Sequence, residues 1–296
     1  MISTLAKVHK YCIFARLNAF QMNTKNRLIS IQIFFFLAVL CSCQSKKNKD
    51  VMIRLETTRG NVVIKLFDET PLHRDNFIRQ IEQGTYEGTL FHRVINNFMV
   101  QAGDPDSKDA KPGQMLGSGD LGYTIPAEIN FPKYYHCRGA LAAARQGDQV
   151  NPERASSACQ FYIVTGTVYS KEMLTSMEEQ RNEQQVRQLY NLQTRKYKDL
   201  FDKMRLSDDY DGIADLEQKM MELAQAKADS MPDFKFTPEQ IDDYTTIGGT
   251  PHLDGEYTVF GQVIEGMDII DAIQNVPTDR NDRPKQDIRI INVSVL

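Results

Sequence analysis

Two runs in which apolar and polar residues alternate, VMIRLET from Val51 and NVVIKLF from Asn61, are joined through Thr58-Arg59-Gly60-Asn61. Period-two alternation around a turn sequence predicts a β-hairpin over 52–67. Thr70-Pro71 then supplies an N-cap residue and a proline at the first helical position. Leu72, Phe77, Ile78 and Ile81 give a helical apolar face that stops at Gly84. Residues 91–104 (FHRVINNFMVQAGD) read as strand, with a tight break at Asn96-Asn97. Residues 104–136 carry many glycines and prolines and predict loop. Short apolar runs at 139–144 (GALAAA) and 159–165 (CQFYIVT) predict two more strands.

The period changes near Val168. Met173, Met177, Val186, Leu189, Leu192, Leu200 and Phe201 recur at near-helical spacing, as do Leu216, Met220, Leu223 and Ala224. Asp208 to Gly212 interrupts the pattern, so 169–244 predicts two helices in an antiparallel hairpin, and Thr237-Pro238-Glu239 marks the start of a short third. After Gly248-Gly249 the chain returns to β character: a strand at 257–263, a helix at 267–276 and a closing strand at 288–295. In the last strand the alternation slips phase at Ile290-Ile291, which predicts a bulge.

The N-terminus follows neither pattern. An apolar run of about a dozen residues (ISIQIFFFLAVL, from Ile29) follows Lys25 and Arg27, too short to span a bilayer and suited to a signal-peptide core. It ends in Leu40-Cys41-Ser42-Cys43, which resembles a bacterial lipoprotein cleavage box with Cys43 as the lipidated residue; Cys41, preceded by bulky Leu40, fits less well. Met22 gives a more compact basic leader than Met1. The expected order is a signal peptide over 1–42, a lipid-anchored polar tether over 43–50, a folded domain over 51–168 and 245–296, and a helical insertion over 169–244. The tether is lysine-rich and lacks an acidic run after the cysteine, so the expected location is the bacterial envelope, lipid-anchored and facing the periplasm. Of the five cysteines only Cys137 and Cys159 fall in the folded part. An oxidising compartment permits a disulfide between them, but two cysteines at this spacing also read as small buried apolar residues.

Composition removes some function classes. The 296 residues carry a formal charge of −4, which gives no basic footprint for nucleic acid. His73, His92, His136 and His252 show no metal-ligand spacing, and the glycines between 113 and 122 form no phosphate loop, so neither metal nor cofactor is expected. The insertion holds 17 Asp+Glu against 11 Lys+Arg. The chemistry is concentrated in 91–104, where Arg93 and Gln101 sit among Phe91, Val94, Ile95, Phe98, Met99 and Val100. Unpaired polar groups in an apolar row cost roughly 2–7 kcal/mol if buried, so such a strand suits a site that binds something apolar and polarises it.

FHRVINNFMVQAGD closely resembles the cyclophilin signature. GALAAAR, SSACQFYIVTG and GGTPHLDGEYTVFGQVIEGMDIIDAI resemble further cyclophilin segments in family order. The resemblance implies a mainly β fold, a closed antiparallel eight-stranded barrel capped by two helices, here with an inserted helical hairpin. It implies cis/trans isomerisation of X-Pro bonds in proline-containing polypeptide clients, a reaction that breaks no bond. Carried over position by position, Arg93 matches the catalytic arginine and Gln101 the glutamine that helps hold it and the substrate backbone. Phe98, Met99, Tyr162 and Leu253 match the pocket for the proline ring. Gln160 matches a second glutamine, and His92 lines the site. Ala144 and Arg145 match the strand end that binds substrate backbone, with Arg145 in place of an Asn; the loop that follows, 146–155, is charged and longer than in the family. Tyr162 replaces a common Phe, Tyr257 replaces a common His, and His252 stands where some members carry a Trp that favours cyclosporin. The alternative is a cyclophilin-fold chaperone or binding module with little turnover that holds clients on its helical insertion, whose Met-rich stripe suits adaptable contacts.

Overall fold

A computed structural model describes residues 51–296. The lipidation and leader expectations at Cys43 and before it lie outside the described residues. The described residues form ten strands: β1 (Val51–Thr57), β2 (Gly60–Leu66), β3 (Arg93–Ile95), β4 (Met99–Ala102), β5 (Thr124–Ile125), β6 (Ala140–Ala143), β7 (Ser156–Ser157), β8 (Phe161–Val164), β9 (Val259–Glu265) and β10 (Ile290–Val295). Eight of them form one antiparallel curled sheet in the order β10-β1-β2-β9-β6-β8-β4-β3; β5 and β7 pair separately. The expected closed barrel is thus an eight-stranded half-barrel, with its two edge strands tied by extended chain rather than by a full ladder. Gly88 and Phe91 donate to Ile290 and Ile288, and Ile290 donates back to Thr89.

Alternation decides which residues face inward. Ile53, Leu55, Val62, Ile64 and Leu66 join Val100, Leu141, Phe161 and Ile163 in the main core. Helix α1 (Pro71–Glu82) adds Phe77 to it, and a second helix at Met267–Gln274 adds Ile270 and Ile273. The hairpin turns at Thr58-Arg59 as expected, with Gly60 at φ +138°, where a Cβ would meet Ile269 at 2.6 Å. Thr70 precedes α1 at the N-cap position but does not cap it with its side chain, which instead donates to the Phe67 carbonyl. The phase slip in the last strand is the expected bulge: Glu56 pairs with Asn292 and Thr57 with Ile290, leaving Ile291 unpaired and exposed.

The insertion contains more helices than its period suggested. Helix α2 (Lys171–Lys196) breaks at Tyr197, α3 (Lys198–Leu206) follows, and α4 (Tyr210–Asp229) returns against α2. The first predicted helix is therefore two. Helix α5 (Pro238–Thr246) starts at Thr237 with a complete capping box to Gln240; the helix at Met267–Gln274 is α6. The base of the insertion is not a detached arm. Leu174, Phe236 and Tyr244 share a core with Tyr135 and, at its edge, Phe131 and Cys137, all from the loop before β6.

Candidate active site

One ladder row explains how distant residues meet. Arg93 on β3 pairs with Gln101 on β4, Gln101 with Tyr162 on β8, and Tyr162 with Ala142 on β6. Residues in one row of an antiparallel sheet project from the same face. This is the outer face, since the neighbouring positions Val94, Val100 and Ile163 point into the core. A second apolar cluster covers it: Met99, Ala142, Tyr162 and Val164, with Phe98, Leu253 and Tyr257 packed against them. Of the apolar residues around Arg93 and Gln101, Phe91, Val94 and Val100 belong to the main core, whereas Ile95, Phe98 and Met99 join this second cluster and form an apolar patch beside it.

Over this patch opens a groove of about 500 Å³. It is lined by His92, Arg93, Phe98, Met99, Gln101, Ala144, Arg145, Tyr162, Leu253 and Tyr257, ten of the residues singled out from sequence. Gln160 and His252 stand behind or beside it. Gln160 accepts from Gln101 Nε2 at 3.0 Å and donates to the carbonyls of Gly117 and Gly119, fastening the loop that forms one wall. His252 stacks on Phe98 with ring centroids 5.5 Å apart and lines a smaller groove against α2.

Arg93 is half-exposed, and its Nε lies 3.6 Å from Asp282 Oδ2. Gln101 makes no hydrogen bond to it; the amide is committed to Gln160. His92 is 4% exposed with both ring nitrogens unpartnered, and burial holds its pKa down to about 4, so the imidazole is neutral at ordinary pH. Arg145 lies over the Tyr257 ring at 4.6 Å, donates to the Glu256 carbonyl and also donates to Asp148 in the loop that follows it. Tyr162 directs its hydroxyl to His136 at 3.0 Å, and burial raises its pKa well above the usual value.

Sequence reading did not find two wall segments, Gln114-Met115-Leu116-Gly117 and Asn281-Asp282-Arg283. Arg283 joins them, donating to the carbonyls of Lys111 and Gln114 from an almost fully buried position. The only available signal was the turn-rich run DRNDRP, in which Asp282 adopts φ +61°. Cys137 and Cys159 are both free thiols, with burial raising them to about 12 and about 11. No group of His, Cys, Asp and Glu suited to a metal occurs among the described residues.

The family model for cyclophilin type peptidyl-prolyl cis-trans isomerase/CLD matches residues 52–183 and 225–295. The chain belongs to the cyclophilin-type peptidyl-prolyl cis-trans isomerase family. Proteins of Staphylococcus saprophyticus and Staphylococcus aureus named for this isomerase activity are each 26% identical to it, over 83% of this chain and 92% of theirs. A crystal structure of a Cryptosporidium parvum cyclophilin type isomerase superposes with a TM-score of 0.50 at 19% identity, covering 84% of this chain and 98% of that one. That likeness supports the eight-stranded fold. This cyclophilin-type isomerase differs from a bare barrel by its helical insertion, and 184–224 falls outside the family match.

Proposed function

We propose that the groove turns over X-Pro bonds in exported polypeptides, with the prolyl ring on Phe98, Met99, Tyr162, Leu253 and Tyr257 and the guanidinium of Arg93 acting on the prolyl nitrogen. The barrier is amide resonance, about 18–20 kcal/mol. Twisting the bond returns a lone pair to the nitrogen, so a donor placed there favours the twisted state over both planar ones. Arginine suits this role because it stays charged and presents a rigid fork of donors. The observation that carries the reading is the placement of Arg93 in one sheet row with Tyr162, at the rim of an apolar floor. Arg93→Ala tests it. Isomerisation of an X-Pro peptide should fall by about a hundredfold, the usual loss for one electrostatic donor, with the melting temperature unchanged; full activity would overturn the assignment.

The export part of the reading rests on the leader, the apolar run and Cys43. Among the described residues no helix is long and apolar enough to cross a membrane. Wild-type protein that takes up no labelled fatty acid would remove the anchor from the proposal, and a Cys43→Ala protein that still takes it up would move the anchor away from Cys43.

A further inference from the structure

A buried hydrogen-bond chain runs from the floor of the groove into the helical insertion, and the isomerisation chemistry above makes no use of it. The Tyr162 hydroxyl meets His136 Nε2 at 3.0 Å. His136 Nδ1 lies 3.1 Å from Asp254 Oδ1, which also accepts the His136 backbone N–H at 2.8 Å. The second carboxylate oxygen of Asp254 accepts the hydroxyl of Tyr244, in α5, at 2.6 Å. Arg181, in α2, donates to the Asp254 carbonyl at 3.0 Å. Tyr162, His136, Asp254 and Tyr244 are 5%, 1%, 1% and 0% exposed.

The chemistry of these groups orders the chain. An ionised carboxylate only accepts, so the histidine nitrogen facing Asp254 carries the proton. The other ring nitrogen, Nε2, is then the one left for the Tyr162 hydroxyl, 3.0 Å away, so that hydroxyl is held by His136 rather than turned to the groove. Rotation of the Tyr162 ring is thereby tied to the position of His136, and His136 is tied through one carboxylate to Tyr244. The ring of Tyr162 packs edge-on against Tyr257, another groove residue, with centroids 5.8 Å apart. A shift at Asp254 therefore reaches two sides of the proline floor, and Leu253, the residue before it, is a third.

We infer that the insertion is a working part of the prolyl pocket: Tyr244, acting through Asp254 and His136, sets the Tyr162 ring, so that His136 and Tyr244 are positioning residues for substrate binding. The inference rests on the reading of the groove as the prolyl site. It gives the insertion a role in the isomerase itself, whatever its outer surface contacts.

The test is a double-mutant cycle in the full chain, with KM and kcat for an X-Pro peptide separated by exchange NMR. Tyr244→Phe keeps a ring packed against Tyr135 and Phe236 and removes only the hydroxyl. It should raise KM by about fivefold, the loss expected for one buried hydrogen bond, with kcat nearly unchanged. In a Tyr162→Phe background the same substitution should leave KM where it was, because no hydroxyl remains to be set. An unchanged KM in the single variant, or an equal rise in both backgrounds, would overturn the inference. If Tyr244→Phe does not fold, Arg181→Met replaces it in the cycle with the same two outcomes. Arg93→Ala run alongside keeps the two readings apart: full activity there removes the site assignment, whereas a failed cycle with inactive Arg93→Ala removes only the coupling.

Discussion

Arg93 and Gln101 face each other across the β3–β4 ladder, yet the guanidinium turns to Asp282 in the loop before β10, Nε to Oδ2 3.6 Å. Both members of this ion pair are nearly half-exposed, so its contribution to stability is small, about 0–1 kcal/mol. Its effect is on where the charge sits. Asp282→Asn keeps a residue tolerant of the left-handed backbone at φ +61° and removes the charge. The expected result is an unchanged melting temperature and kcat/KM lower by about threefold, from the added freedom of Arg93. A loss as large as that of Arg93→Ala would mean that Asp282 meets the substrate itself.

Arg93→Lys separates charge from geometry. An ammonium keeps the charge but lacks the planar fork. Activity should stay within about tenfold of Arg93→Ala rather than of the wild type, since the donor must reach a nitrogen whose direction changes as the bond turns. A peptide-isomerisation assay on the two proteins, each checked for folding, decides it.

Gln160 is expected to act on binding more than on turnover. Its amide holds the carbonyls of Gly117 and Gly119 and receives Gln101. In Gln160→Ala these carbonyls lose their donor and the 114–117 wall loosens. KM should rise several-fold and stability fall by about 1–3 kcal/mol, the cost of buried groups left unpaired. Denaturant unfolding and peptide titration read the two effects separately.

Acid should loosen the fold through His92. Burial lowers its pKa to about 4, although neighbouring Asp104 pulls the other way. The unfolded chain, with an ordinary histidine near 6.5, then binds more protons than the native state between those values, so stability rises with pH in that window. On acidification the loss begins as pH drops below about 6.5 and is complete below about 4, worth on the order of 3 kcal/mol. His73, also held down by burial, adds in the same direction. Melting temperatures from pH 7 to pH 4 should fall less steeply in His92→Gln than in the wild type.

The strands were legible where alternation was long, as in β1 and β2, and where the phase slip marked Ile291. The floor of the site was legible too, because Arg93, Phe98, Met99, Tyr162 and Leu253 sit in distinctive segments. What was hidden depends on tertiary closure. Asp282 and Arg283 lie in an unpatterned turn, and only folding lays that turn against 111–117. The partner of Gln101 could not be read either, since an amide bonds whichever neighbour packing supplies, here Gln160. The break at Tyr197 was missed because helical spacing continues on both sides of it, through Leu192 and Leu200. The hydroxyl of Tyr162 was visible, but its partner His136 was not, as nothing in sequence pairs two residues from separate segments.

The strand order also constrains how the sheet closes. Strand β1 lies between β2 and β10, with Ile53 opposite Val295, so the first of the described strands has one flank filled only by the last of them. A folding chain can form the first hairpin early, but it carries an open β1 flank and an uncovered row of backbone groups until Ile290–Val295 docks. Closure therefore joins strands from the two ends of the described fold, and the intermediate before it is the one exposed to mispairing.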